Sequence, residues 1–163
     1  MKKSYPKRYI PKHLSKKDKK KQMSMINKSR SAYKKGKYLT RKKVKSFKSK
    51  TSNHIDNAKR IYKVDKVGPT AKLARATQCT IKTLSKIQKK GQGAFFSSGS
   101  RPNQTAHSWG KARLGSAITG GKASLVDLKL LQEGCKGTSK ALKLAKQAKK
   151  KYGKGTRKVA KFK

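Results

Sequence analysis

Between Asp65 and Asp127 the chain carries no acidic residue. Whatever folds there must leave its Lys and Arg side chains facing solvent or a polyanion, because the stretch holds no carboxylate to neutralise them. The same stretch has the marks of a fixed shape. Two adjacent aromatics (Phe95, Phe96), the only tryptophan (Trp109) and a run rich in Gly and Ser lie between segments of helical apolar spacing. Order and uncompensated positive charge coincide from Thr70 to Gly134.

The rest of the chain amplifies that imbalance. Lys and Arg number 48 against 5 Asp and Glu, a formal charge of +43, and hydrophobic residues make up 33% of the 163. Self-repulsion works against a compact state of that charge. Low hydrophobicity combined with high net charge is the composition of disorder. The expectation is an all-α protein with a small helical core and basic, partly disordered flanks. Residues 1–52 are assigned to a basic N-terminal arm with a marginal helix, 53–134 to a compact helical core, and 135–163 to a Lys-rich C-terminal helix and disordered tail. A one-signed charge this large implies a polyanionic partner. No run of about 18 apolar residues offers a transmembrane segment, and the start Met1-Lys2-Lys3-Ser4 lacks the apolar stretch of a signal peptide. Nucleic acid is the partner expected, double-stranded DNA before others.

Cys79 and Cys135 lack CxxC spacing, and His13, His54 and His107 are scattered singly, which argues against a zinc site. No metal and no cofactor are expected. With no export signal, the two thiols are read as reduced and partly buried.

Local signals divide the chain. Tyr5-Pro6 and Ile10-Pro11 predict an extended arm over 1–12, since each Pro pushes its predecessor out of the helical region. Ser15 to Asp18 resembles a capping box for a helix running to about Lys35, with Gly36 beyond its end. Val44 and Phe47 suggest a short helix between Thr40 and Lys50. Ser52 caps an amphipathic helix with Ile55, Ala58, Ile61 and Tyr62, and Gly68-Pro69 breaks the chain. From Thr70, Leu73 and Ala74 lead to an interruption at Gln78-Cys79-Thr80. A second helix with Leu84 and Ile87 follows and is expected to stop at Gly91. This spacing fits a helix-turn-helix, with a small residue at the crossing and apolar anchors on the second helix. An ordinary helical hairpin fits it too. Gln78 stands where Gly is usual, and Thr77 where an apolar residue is. Thr105 or Ser108 caps a helix ended by Gly120-Gly121, and Ser124 to Asp127 opens another that stops at Gly134. Ser139 opens a helix with Ala141, Leu144, Ala145, Ala148 and Tyr152 on one stripe, and a basic end expected to be disordered follows Gly153. The expected core comprises Leu73, Ala74, Leu84, Ile87, Phe95, Phe96, Trp109, Leu125 and Leu128.

Several segments resemble a family of small basic proteins of large double-stranded DNA viruses of algae and amoebae. They are Ser4 to Lys12, Tyr38 to Lys48, Gly91 to Thr105, Ser108-Trp109, Ala112-Arg113 and Ser116 to Lys122. Shorter relatives of the central module occur in tailed phages. The resemblance covers most of residues 4–135. It implies a viral origin and a virion protein, present in host cytoplasm or nucleus during infection. It implies no activity, so function is read from the residues.

Lys82, Ser85 and Lys86 lie away from Leu84 and Ile87, with Lys89 and Lys90 extending that face. They form either a phosphate-contacting surface or a solvated helix face. Lysines favour phosphate over base edges, so weak sequence preference is expected. Arg101, with Asn103 and Gln104, is the candidate for a specific contact. Its loop offers Ser97, Ser98 and Ser100 hydroxyls and Gly amides suited to phosphate, and the competing reading has Arg101 bracing the loop through carbonyls. Lys111 and, in the tail, Lys143, Lys146, Lys149 and Lys150 complete the basic set. Phe95, Phe96 and Trp109 are read first as core and second as platforms for unpaired bases. Arg113 is expected to pack beside them. Five dispersed acids provide no carboxylate pair for metal-assisted or acid–base chemistry, and no Walker-type loop is present, so no enzyme is expected. Two functions stand: a nucleic-acid-binding virion protein that neutralises and condenses the genome, and a minor capsid or cement protein whose basic arms bridge virion components. Ribosomal-type RNA binding suits the composition but not the resemblance.

Overall fold

The computed structural model describes residues 4–153 and 161–162. Eight α-helices are found among them: α1 (Lys16–Lys34), α2 (Asn53–Tyr62), α3 (Ala71–Thr77), α4 (Ile81–Ser97), α5 (Ala106–Ile118), α6 (Lys122–Val126), α7 (Leu128–Gly134) and α8 (Lys140–Tyr152). The protein is all-α. Two-residue strands β1 (Tyr5–Pro6) and β2 (Lys161–Phe162) pair antiparallel. The disordered end expected after Gly153 falls largely on residues outside those described.

The chain forms two compact units. The first takes the described residues of Met1–Lys50, Gln92–Trp109 and Lys158–Lys163, and the second those of Thr51–Gly91 and Gly110–Arg157. This division differs from the expected arm, core and tail. Residues 5–14 are not an extended arm: Tyr5, Tyr9, Ile10 and Leu14 are buried, and Lys7–Tyr9 forms a 3-10 turn. Tyr5, Tyr9 and Ile10 join Ile26 of α1 in an apolar cluster that Met23 and Trp109 flank. The aromatic and branched residues between the lysines supply burial that average composition conceals.

In the second unit, Ala58 and Tyr62 of α2, Leu73 of α3, Leu84 and Ile87 of α4, Leu114, Ala117 and Ile118 of α5, Leu131 of α7 and Ala141, Leu142 and Ala145 of α8 share one core. Val64 and Val67, between α2 and α3, are also buried in it. Burial holds the Tyr62 phenol well above its ordinary pKa, and its hydroxyl donates to the Ile118 carbonyl. α8 packs on α6 and α7, so the segment from Ser139 is part of this unit and not a tail.

Side chains cap several helix starts, at Ser15 and Ser52 as expected. Ser15, Ser52, Thr70 and Ser139 each accept a backbone N–H at the start of α1, α2, α3 and α8. Thr105 and Ser108 are both used, each side chain bonding the other's backbone N–H at the start of α5. Gly36 takes a positive φ of 72° just past α1.

Three expectations fail. The Thr40–Lys50 segment is not helical. Val44 is buried and Phe47 stacks on His13, with ring centroids 5.7 Å apart, so the segment is fixed by side-chain contacts. Ser124 does not open a helix. It is buried inside α6, donates to the Gly121 carbonyl at 2.5 Å, and α7 starts separately after Asp127. Finally, α4 does not stop at Gly91 but continues to Ser97. A Cβ at Gly91 would meet the Gly110 Cα at 2.8 Å and the Arg113 Cβ at 3.0 Å. Glycine there permits close helix approach.

Candidate nucleic-acid interface

α3 and α4 are separated by a short turn at residues 78–80, where the sequence places its interruption. Gln78 ends α3 in the left-handed region at φ 57°, the conformation for which Gly is usual, and its side chain is held by Thr138 Oγ1 at 3.0 Å. Thr77 is buried where an apolar residue was expected because its hydroxyl donates to the Leu73 carbonyl at 2.7 Å. Thr80 accepts the Thr83 N–H, opening α4. Ala74, half-buried, packs against the core, and Leu84 and Ile87 are fully buried.

Cys79 in this turn forms a disulfide with Cys135 and is not a free thiol. Thr80 N donates to the Gly134 carbonyl and Lys136 N to the Gln78 carbonyl, both at 2.9 Å, setting the two segments antiparallel with the cysteines opposed. Such pairing across 56 residues leaves no spacing signature.

Burying Leu84 and Ile87 turns the opposite face of α4 outward. Lys82, Lys86 and Lys89 are exposed at i, i+4 and i+7, one stripe of the helix, with Ser85 half-buried beside them. Lys90 departs from the set. Its ammonium meets Asp127 Oδ1 at 3.0 Å, while Arg113 binds the same carboxylate through Nε at 2.9 Å and Nη2 at 2.8 Å. Asp127 is completely buried. Arg113 is thus neutralised by Asp127, and Lys90 is committed with it. Lys111 on α5 is half-buried.

On α8, Ala141, Leu142, Ala145 and Ala148 face inward, leaving Lys143, Lys146, Lys149 and Lys150 exposed. Both sets of lysines therefore follow from the apolar period of their helices.

In the first unit, Arg101 is exposed, and no described residue hydrogen-bonds its guanidinium. The bracing role falls to Arg41. Buried, it donates to the Phe95 carbonyl at 2.7 Å, to Ser100 Oγ at 2.8 Å and to Ser29 Oγ at 3.0 Å, and lies 3.8 Å from the centroid of the Phe95 ring. Desolvation lowers its pKa to about 10, so it stays charged at neutral pH. Asn103 is structural: Nδ2 donates to the carbonyls of Val44 and Phe47, and Oδ1 accepts the Val44 N–H at 2.7 Å. Gln104 accepts Ser108 Oγ at the start of α5. Ser100 is buried around Arg41, whereas Ser97 and Ser98 are exposed. Of the expected loop contacts, Arg101 and the Ser97 and Ser98 hydroxyls are left available. Arg41 sits in a lysine-rich run with no feature marking it as different.

The aromatics divide. Phe95 is fully buried, Phe96 half-buried, and Trp109 half-buried with its ring 6.1 Å from Tyr9 in an edge-on arrangement. Leu125 and Leu128 are likewise half-buried. Trp109 flanks a cluster and does not form its centre.

All five acids are described, and four hold internal partners. Asp18 accepts from Ser46 N and Oγ, Asp127 holds Arg113 and Lys90, Asp65 lies 3.6 Å from Lys72 and Glu133 3.9 Å from Lys129. Among the described residues there is no cluster of His, Cys, Asp and Glu able to hold a metal ion, and no helix long and apolar enough to cross a membrane.

A basic all-α protein with exposed lysine stripes is the class this geometry defines. Residues 6–132 match a family of unknown function, DUF5824, and the chain belongs to that family. No curated protein and no solved structure matches it.

Proposed function

We propose that the protein binds nucleic acid through its phosphate backbone, double-stranded DNA in particular, and condenses it with little sequence preference. The observation that carries this reading is where the acids go. Asp18 and Asp127 are engaged within the fold and Asp65 and Glu133 lie near Lys72 and Lys129 at the surface, so the outward lysines of α4 and α8 have few carboxylates to compensate them. A regular helix places Lys82, Lys86 and Lys89 about one turn apart, a spacing suited to phosphates along a groove. Lys143, Lys146, Lys149 and Lys150 offer a second stripe. Lysine supplies point charge without the bidentate geometry that reads bases, and Arg101 alone among the expected specific contacts is free to read one. A viral genome is the ligand suggested by the resemblance in sequence, and the virion is the corresponding setting. The segment at residues 5–14 is packed, which leaves fewer free arms for a bridging shell protein.

A salt titration of duplex binding tests this. If Lys82, Lys86, Lys89, Lys143, Lys146, Lys149 and Lys150 each neutralise one phosphate, log K should fall with log salt at a slope near −6. Replacing Lys82, Lys86 and Lys89 with Ala should reduce the slope by about one unit per residue, equally on all sequences. Arg101→Ala should leave sequence preference unchanged if phosphate is all it meets. Binding that is absent at low salt, or insensitive to salt, refutes the proposal.

A further inference from the structure

An exposed aromatic ladder occupies the first unit. Tyr38, in the segment after α1, is 67% exposed, yet its ring is held on two sides. Its centroid is 5.1 Å from that of half-buried Phe96 and 6.0 Å from that of Tyr33, itself 38% exposed. Leu39 follows at 42% exposure. Single exposed apolar residues need no explanation, but a contiguous group of preorganised rings in so charged a chain does.

The surroundings identify what covers it. Lys34, Lys35 and Lys37, which lie between Tyr33 and Tyr38 in the sequence, are exposed. Lys28, Lys35 and Lys37, with Ala32 and Leu39, line an open groove of about 480 Å3. Asp18 is the sole acidic residue in the sequence of this unit, and Ser46 holds its carboxylate. An acidic, aromatic-compatible partner suits such a surface: lysines satisfy phosphates while ring faces take up flat apolar groups.

We infer that Tyr38, with Tyr33 and Phe96, is a stacking platform for unpaired bases, and that the adjoining lysines hold the phosphates of a single strand. Every base has a π-face, so such a platform is tolerant of sequence. A duplex hides its base faces and would use the lysines alone. This inference concerns the first unit and does not depend on the duplex-binding lysines of α4 and α8.

The test uses the full chain with labelled oligo-dT and a blunt duplex of equal length at matched salt, followed by fluorescence anisotropy. Tyr33→Leu with Tyr38→Leu keeps apolar bulk but removes both rings. Single-strand Kd should rise about tenfold, the lower part of the range for loss of a stacked base, with duplex Kd within about twofold. Tyr38→Phe should bind as the unaltered protein does. In that unaltered protein, photocrosslinking of a bromodeoxyuridine oligonucleotide should map to Tyr33, Tyr38 or Phe96, a readout independent of any variant's folding. Equal losses on both ligands, no loss on either, or crosslinks confined elsewhere overturn the inference. Unaltered protein that binds duplex but not single strands overturns it alone, and failure to bind either overturns the proposed function as well.

Discussion

The two units reach order by different means. The second is an apolar helical core: Leu73, Leu84, Ile87, Leu114, Ile118 and Leu131 are all fully buried, and a disulfide joins the α3–α4 turn to the end of α7. The first has a smaller apolar cluster and relies on polar side chains reaching distant backbone. Gln22 donates to the carbonyls of Tyr9 and Ser100, Arg41 to that of Phe95, and Asn103 to those of Val44 and Phe47. Those bonds tie segments that lack regular structure and satisfy backbone groups that burial would otherwise leave unpaired. A unit too charged to bury much apolar surface can thus still be ordered, provided its buried polar groups find backbone partners.

Arg41→Ala should break that comparison open most widely. It removes the donor to the Phe95 carbonyl and the cation over the Phe95 ring, and leaves space that neighbours fill poorly. Loss of stability by about 3–5 kcal/mol is expected. Arg41→Lys should not restore it, since an ammonium cannot reproduce the planar fork of donors. Hydrogen exchange should show α1 amides losing protection while those of α8 keep it. If both lose protection together, the units unfold as one and the contrast between them is not energetic.

The converse break uses Cys79→Ser with Cys135→Ser. Opening a crosslink that spans 56 residues should cost the second unit about 2–4 kcal/mol, largely through the greater freedom of the unfolded chain. Thermal melts with and without reductant measure it, and the double variant should no longer respond to reductant. An unresponsive unaltered protein would show that the helical core alone supplies the stability of this unit.

What was legible in the sequence follows the same line. Ser52, Thr70 and Ser139 announce their helices, and the apolar stripes of α2, α4 and α8 give which residues face inward, because capping and periodicity are local. The lysine face of α4 was readable for that reason. Gly91 misled because a helix-packing glycine and a helix-ending glycine look alike in one dimension. Arg41, Asn103 and the burial of Tyr9 and Ile10 were not legible at all: each depends on contact with residues dozens of positions away. Lys90 looked free because its partner, Asp127, lies 37 residues downstream. The disulfide was missed for the same reason, and the Tyr33–Tyr38–Phe96 ladder forms only when the two halves of the first unit meet.

The smallest effect sharpens the role of polar bonds in the first unit. Asp18 accepts hydrogen bonds from the Ser46 hydroxyl at 2.6 Å and the Ser46 N–H at 2.8 Å, and these hold its carboxyl below the ordinary value of 3.8. Both bonds are stronger to the charged form. The folded pKa is therefore the lower one, and its contribution to stability is fully present above the unfolded value of 3.8 and lost as pH falls through the folded value. Asp18→Asn should destabilise the protein slightly at pH 6, since an amide oxygen is a weaker acceptor, and the difference from the unaltered protein should vanish in strong acid. Ser46→Ala should show the same convergence, through loss of the hydroxyl donor. Urea melts of all three proteins from pH 6 down to acid measure it. A gap that persists unchanged through the acid range would mean that Asp18 acts through packing or helix capping and not through its charge.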